Sequence, residues 1–352
     1  MSRSAHFGAL ALMLLVPFGA ASALASPDTL SVYTWSDYLD PELVSEFETE
    51  HGARVEFSYF ISDEARDKEL TARGGSGFDV IMVNRLQMPS YARRGWTAPL
   101  DRSRIPNLEH LESRWTDASE DAAAEHGVAY FWGTLGIAWR ADLYPEGLRS
   151  WRALLEPDER LSGHLMMPDD GRELVGLALK ADGHSVNTAD RTLIRAAGER
   201  LARQKPHVKE YGYSSLTEAS SFITGEVWAG PMYSGDALVL KELDEHIEYR
   251  IPDEGGILWV DYLAVAGSST RKALAHAFID FLNRPEVAAR NAEYVHFATP
   301  NRAARELASE DYLADPVIHP DEKQLDALES FDSLPARSTK SVNAVISELH
   351  TD

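Results

Sequence analysis

The chain has 352 residues, with 34 Lys and Arg against 56 Asp and Glu, and it contains no cysteine. A formal charge of −22 argues against phosphate-backbone and anionic-membrane partners. The lack of thiols excludes disulfides, thiolate metal sites, a cysteine nucleophile and a lipid-modified N-terminal cysteine.

The length suggests about two domains at roughly 150 residues each, and a hydrophobic content of 44% is enough for a buried core. Residues 1–25 are expected to be a signal peptide. Arg3 precedes an apolar run beginning at Gly8, and Ala23-Leu24-Ala25 has the small-residue form of a cleavage site. The apolar run is broken by Pro17 and is too short for a transmembrane anchor, which needs about 20 apolar residues. An exported protein without direct membrane insertion is therefore expected.

The remaining chain opens with strand–helix alternation. Leu30–Trp35 reads as a strand. Asp40-Pro41 gives an N-cap with proline at the first helical position, Leu43, Val44 and Phe47 share a face, and Gly52 stops the helix. A strand at Arg54–Phe60, a helix at Asp63–Arg73 and a strand at Phe78–Val83 follow. The nearly continuous apolar run of the last indicates a parallel sheet covered on both faces. Gly74–Gly77 follows a helix and lacks a phosphate-loop pattern, so it reads as helix termination.

Further strands are predicted at Ala129–Trp139 (or a hairpin), Val227–Met232, Ile247–Ile251 and Leu258–Ala266. Helices are predicted at Trp151–Leu155, Glu173–Ala181 and Asp190–Gln204. Leu274, Ala277, Phe278, Phe281 and Leu282 form an amphipathic stripe that Asn283-Arg284-Pro285 breaks before a second helix. Two α/β units without a flexible linker predict strands crossing between lobes, with a cleft at the junction.

With so many acids, most are solvated surface charges. Four clusters set acids among aromatics and glycines: Tyr33–Tyr38, Pro168–Glu173, Tyr233–Asp236 and Gly255–Asp261. Strand alternation puts Trp259 and Asp261 on one face, and Trp35 and Asp37 repeat the spacing. A carboxylate beside an indole suits an ammonium group through charge-assisted hydrogen bonds and cation–π attraction. Core packing is the competing reading for Trp259, and helix capping the competing reading for Asp170. Paired acids such as Asp170 and Glu173 could also serve a glycosidase. No activated-serine motif, zinc motif or calcium loop accompanies them, and the 12 histidines show no ligand spacing. No metal and no cofactor are expected.

The four clusters also carry a resemblance. From Leu30 to roughly Asn343 the chain resembles the spermidine/putrescine-binding proteins, the receptors of bacterial ATP-driven polyamine importers. The matching motifs include Tyr33–Tyr38, Phe78–Ile81, Tyr130–Gly133, Asp170–Glu173, Gly225-Glu226, Gly255-Gly256 with Trp259–Asp261, Asn283–Val287 and Thr299–Ala304. The resemblance implies an α/β, two-lobed periplasmic binding protein fold of type II, each lobe a sheet flanked by helices, joined by crossover strands at a hinge. It implies lobes of 26–138 plus 262–305 and 139–261 plus 306–352. It further implies a monomer in the periplasm, closing on a small cationic polyamine and docking on an inner-membrane ABC permease, without catalysis.

Carried over by motif position, Trp35, Tyr38 and Trp259 would form aromatic walls, and Ser36 and Asp37 would bind an amino group in the manner of putrescine-type members. Asp170, Glu173, Asp236 and Asp261 would supply the acids. Tyr233 stands where the family usually has Trp, Asn84 replaces a family Ser, and Phe297 aligns with an aromatic near the putrescine pocket. Leu86 and Phe331 depart from the spermidine-type pattern. Putrescine is slightly favoured. The alternatives are another cationic or zwitterionic solute on the same scaffold, or a secreted carboxylate-dependent hydrolase.

Overall fold

The computed structural model describes residues 28–116 and 122–349; the expected signal peptide lies outside them. Among these residues nine strands form one sheet: β1 (Asp28–Thr34), β2 (Ala53–Tyr59), β3 (Val80–Asn84), β4 (Gly127–Arg140), β5 (Leu165–Met167), β6 (Val208–Tyr211), β7 (Ala229–Tyr233), β8 (Ile247–Arg250) and β9 (Ile257–Val265). Their order is β2-β1-β3-β9-β4-β7-β5-β6, with β8 beside β4. β1 pairs in parallel with β2 and β3, as the apolar pattern of the third strand predicts. β9 enters antiparallel to β3, which makes the sheet mixed.

The predicted Asp40 cap is realised, and two later helix starts are capped in the same way. Asp40 caps Pro41–His51, and Gly52 closes that helix in the left-handed region at φ 59°. Ser62 caps Asp63–Ala72, and Asp190 caps Arg191–Gln204. The stripe after β9 is the helix Lys272–Leu282, followed by Pro285–Val295.

β4 is the pivot of the architecture. It is a single 14-residue strand and not a hairpin. Its first half pairs with β9 from Gly127 to Leu135, and its second half pairs with β7 and β8 from Leu135 to Arg140. The two halves belong to different cores. One core gathers β1, β3, the helix Lys272–Leu282 and residues as late as Tyr312 and Ile318. The other gathers Leu135, Ile137, β5, the helices Gly171–Ala181 and Arg191–Gln204, and the C-terminal helix Ala336–Leu349. β4 and β9 thus run from one core into the other, carrying Tyr130–Gly133 and Trp259–Asp261 along that passage.

Candidate functional site

The turn after β1 delivers the first group. Asp37 adopts φ 54°, a left-handed conformation that Asp tolerates better than most residues. Trp35 and Tyr38, on either side of that turn, then reach the same oxygen. Trp35 Nε1 and Tyr38 OH each donate to Asp261 Oδ2 at 3.2 Å. The turn is braced from behind, because Tyr130 OH donates to the Tyr38 carbonyl at 3.0 Å and the Asn291 amide donates to Tyr130 at 2.5 Å. Ser36 and Asp37 themselves are exposed.

Asp261 sits in the middle of β9, opposite Asn84 of β3 and Phe131 of β4. It is buried at 7% exposure, and that burial pushes its carboxyl up to about 7 despite the two donors. The adjoining wall is aromatic. The Trp259 ring meets Phe297 edge-on at 4.8 Å and Tyr233 at 5.9 Å, and Phe297 meets Tyr38 at 5.8 Å. Two glycines permit this packing. A Cβ on Gly133 would lie 2.6 Å from the Trp259 ring, and one on Gly235 would lie 2.4 Å from Phe297.

Two helix starts contribute further acids. Asp170 caps the helix Gly171–Ala181, its Oδ1 accepting from the amides of Arg172 at 2.7 Å and Glu173 at 2.9 Å. The capping reading of Asp170 is therefore realised. Glu173, in the first turn, is 8% exposed and accepts from Tyr233 OH at 2.5 Å and Tyr213 OH at 2.9 Å. Burial, with Asp170 beside it, pushes its carboxyl up to about 8. Asp236 lies in the first turn after β7, partly exposed, and desolvation pushes it up to about 7. Among the described residues, no Lys or Arg pairs with Glu173, Asp236 or Asp261.

Asn84 ends β3 beside Asp261, as its strand position requires, and its amide donates to Asp63. Phe331 lies under the Arg172 guanidinium, 4.8 Å from it, against Gly176. Its place is structural, over the helix that carries Glu173.

Two participants escape the sequence reading. Tyr213 follows β6, a four-residue strand with little apolar content, and stacks on Tyr233 with centroids 5.9 Å apart. Asp63 reads in the sequence as an ordinary acidic residue of a helix first turn. Its partner Arg66, buried without exposed surface, is the signal that sequence cannot show.

Comparison with known proteins places the chain in a family. Residues 42–320 match the bacterial extracellular solute-binding protein family. Over 316 residues the chain is 33% identical to the spermidine/putrescine-binding periplasmic protein of Salmonella typhimurium, spanning 89% of this chain and 88% of that one. The chain belongs to this family of solute-binding receptors. Its members bind solutes and are not enzymes, and the fold is that of the type II periplasmic binding proteins. The chain is also 29% identical to a putrescine-binding periplasmic protein of Pseudomonas aeruginosa over 350 residues, 95% of each chain. A norspermidine sensor of Vibrio cholerae is 29% identical over 303 residues, 86% of this chain and 83% of its own. Among solved structures, the spermidine/putrescine ABC transporter substrate-binding protein of Streptococcus pneumoniae superposes with a TM-score of 0.79 at 29% identity, covering 92% of this chain and 98% of that one. No helix among the described residues is long and apolar enough to cross a membrane.

Proposed function

We propose that the protein is a polyamine receptor that works in the periplasm, closes on its ligand by a hinge and delivers it to an ABC permease in the inner membrane. The observation that carries this reading is the set of desolvated carboxylates that form no ion pair with Lys or Arg among the described residues, Glu173, Asp236 and Asp261, joined by Trp35, Tyr38, Tyr233, Trp259 and Phe297. A linear diamine is an apolar rod with an ammonium at each end. Buried ammonium must be paired to offset its desolvation, and aromatic faces suit the alkyl stem and the charge together. The names of the relatives support the same ligand class.

The acids come from both cores, so closing them on one another without a cation is unfavourable and a polycation favours closure. The lobes we propose are 26–138 plus 262–305 and 139–261 plus 306–352. Within the last segment, Tyr312, Ile318 and Leu325 pack against the first core. Ser36, Asp37 and Asp236 favour putrescine, through the putrescine-type pattern they share. Asp170 and Asn84 complete the set of ligand-facing residues. A thermal-shift panel of putrescine, cadaverine, spermidine, agmatine, neutral sugars and amino acids tests the reading. A multi-degree rise with amines alone is expected; a rise with sugars or amino acids and none with amines would refute it.

A further inference from the structure

Besides β4 and β9, a third chain segment passes between the two cores. Leu325 packs against the first core, and Phe331 and Leu334 pack against the second, so the residues between them make the passage. It runs beside the start of β9. Leu258 N donates to the Glu329 carbonyl at 3.0 Å, and Ser330 Oγ donates to the Leu258 carbonyl at 2.9 Å. Gly255 comes close to the same segment at φ 86°, where a Cβ would lie 1.9 Å from the Ala327 carbonyl oxygen.

The passage is fastened along one helix. Lys180 lies in the last turn of Gly171–Ala181, and only 6% of its side chain is exposed. Its Nζ donates to Glu329 Oε1 at 2.9 Å and to the Ala327 carbonyl at 3.1 Å, and Ser185 Oγ donates to the other Glu329 oxygen at 2.5 Å. About one turn nearer the helix start, the Phe331 ring fills the space beside Gly176, 2.9 Å from where a Cβ would stand. Arg172, in the first turn, donates to the Asp332 carbonyl at 3.2 Å. The segment therefore follows the helix from its last turn back to its first, where Glu173 is placed. Glu173 and Lys180 are about two turns apart on one face, roughly 10 Å along the axis.

We propose that Lys180 is a positioning residue for ligand retention, locking the third passage to the helix that carries Glu173 so that passage and helix move together when the cores close. The proposal rests on the hinge-closing receptor reading and deepens it. Lys180 touches no ligand and acts through Glu173. An unlocked passage gains conformational freedom in the open form, and closing must remove that freedom. The ligand meets the open form first, so the loss falls on the rate at which the closed form reopens.

The test is stopped-flow tryptophan fluorescence of putrescine binding to wild type, Lys180→Met and Lys180→Arg, with folding checked by circular dichroism. Lys180→Met is expected to raise the dissociation rate about tenfold and to change the association rate less than about twofold. Lys180→Arg keeps a charged donor and is expected to restore most of the wild-type dissociation rate. A general loss of stability would give neither the split between the two rates nor the rescue. An unchanged dissociation rate in folded Lys180→Met, equal effects on both rates, or no restoration by Lys180→Arg would overturn the role and leave the receptor reading intact. A wild type that binds no amine would sink both. If Lys180→Met fails to fold, the double variant Lys180→Met with Glu329→Gln removes the buried pair as a unit. The same rise in dissociation is expected there, and a wild-type rate would refute the lock.

Discussion

Ligand binding at these acids should expel protons. Desolvation raises Glu173 to about 8 and both Asp236 and Asp261 to about 7. At pH 7 the ligand-free protein then holds about nine-tenths of a proton on Glu173 and about half on each aspartate. An amine-bound site needs ionised partners. A diamine that ionises two of these acids releases about one proton at pH 7, and a ligand that ionises all three releases about two. The sign follows from the raised values: release grows as pH falls toward 6 and shrinks as pH rises past 8. Affinity should therefore rise about ten- to a hundredfold per pH unit near pH 7. Calorimetry in buffers of different ionisation enthalpy reads the proton number directly as the slope of observed enthalpy against buffer enthalpy. A zero slope at pH 7, with flat affinity between pH 6 and 8, would mean that the acids are already ionised in the free protein, and would refute the reasoning.

Three substitutions probe the parts separately. Asp236→Asn removes a desolvated acid whose raised pKa disfavours the ligand-free fold progressively as pH rises from about 4 through 7. The variant should melt higher than wild type at pH 8 without ligand, while putrescine binding weakens by about 2–5 kcal/mol. Tyr213→Phe deletes a donor that holds the Glu173 carboxyl down. Affinity should drop several-fold at pH 7 and recover toward pH 8.5, a pH dependence that a purely structural defect would not give. Gly133→Ala places a methyl 2.6 Å from the Trp259 ring. It should lower amine affinity about tenfold or more and alter the tryptophan emission that accompanies binding.

Much of this architecture is legible in the sequence because local chemistry agrees with the global fold. Asp40-Pro41 and Asp170 mark helix starts through capping, and the structure places helices there. The Trp259-Val260-Asp261 alternation also survives, since Trp259 meets Phe297 while Asp261 receives Trp35 and Tyr38. What escapes the sequence depends on contacts distant along the chain. β5 has three residues and β6 four, too short for a periodic signal. The C-terminal helix Ala336–Leu349 has an apolar stripe that becomes meaningful only against the helices Gly171–Ala181 and Arg191–Gln204. Tyr213 and Asp63 are ordinary residues until the fold sets one beside Glu173 and the other over a buried arginine.

The central claim is that a desolvated carboxylate on the crossing strand holds an ammonium group. The most direct measurement is calorimetric titration of putrescine into wild type and Asp261→Asn at pH 7.5. One site per chain in the wild type and a loss of at least about thirtyfold in the variant are predicted. Undiminished putrescine affinity in a folded Asp261→Asn protein would contradict the account.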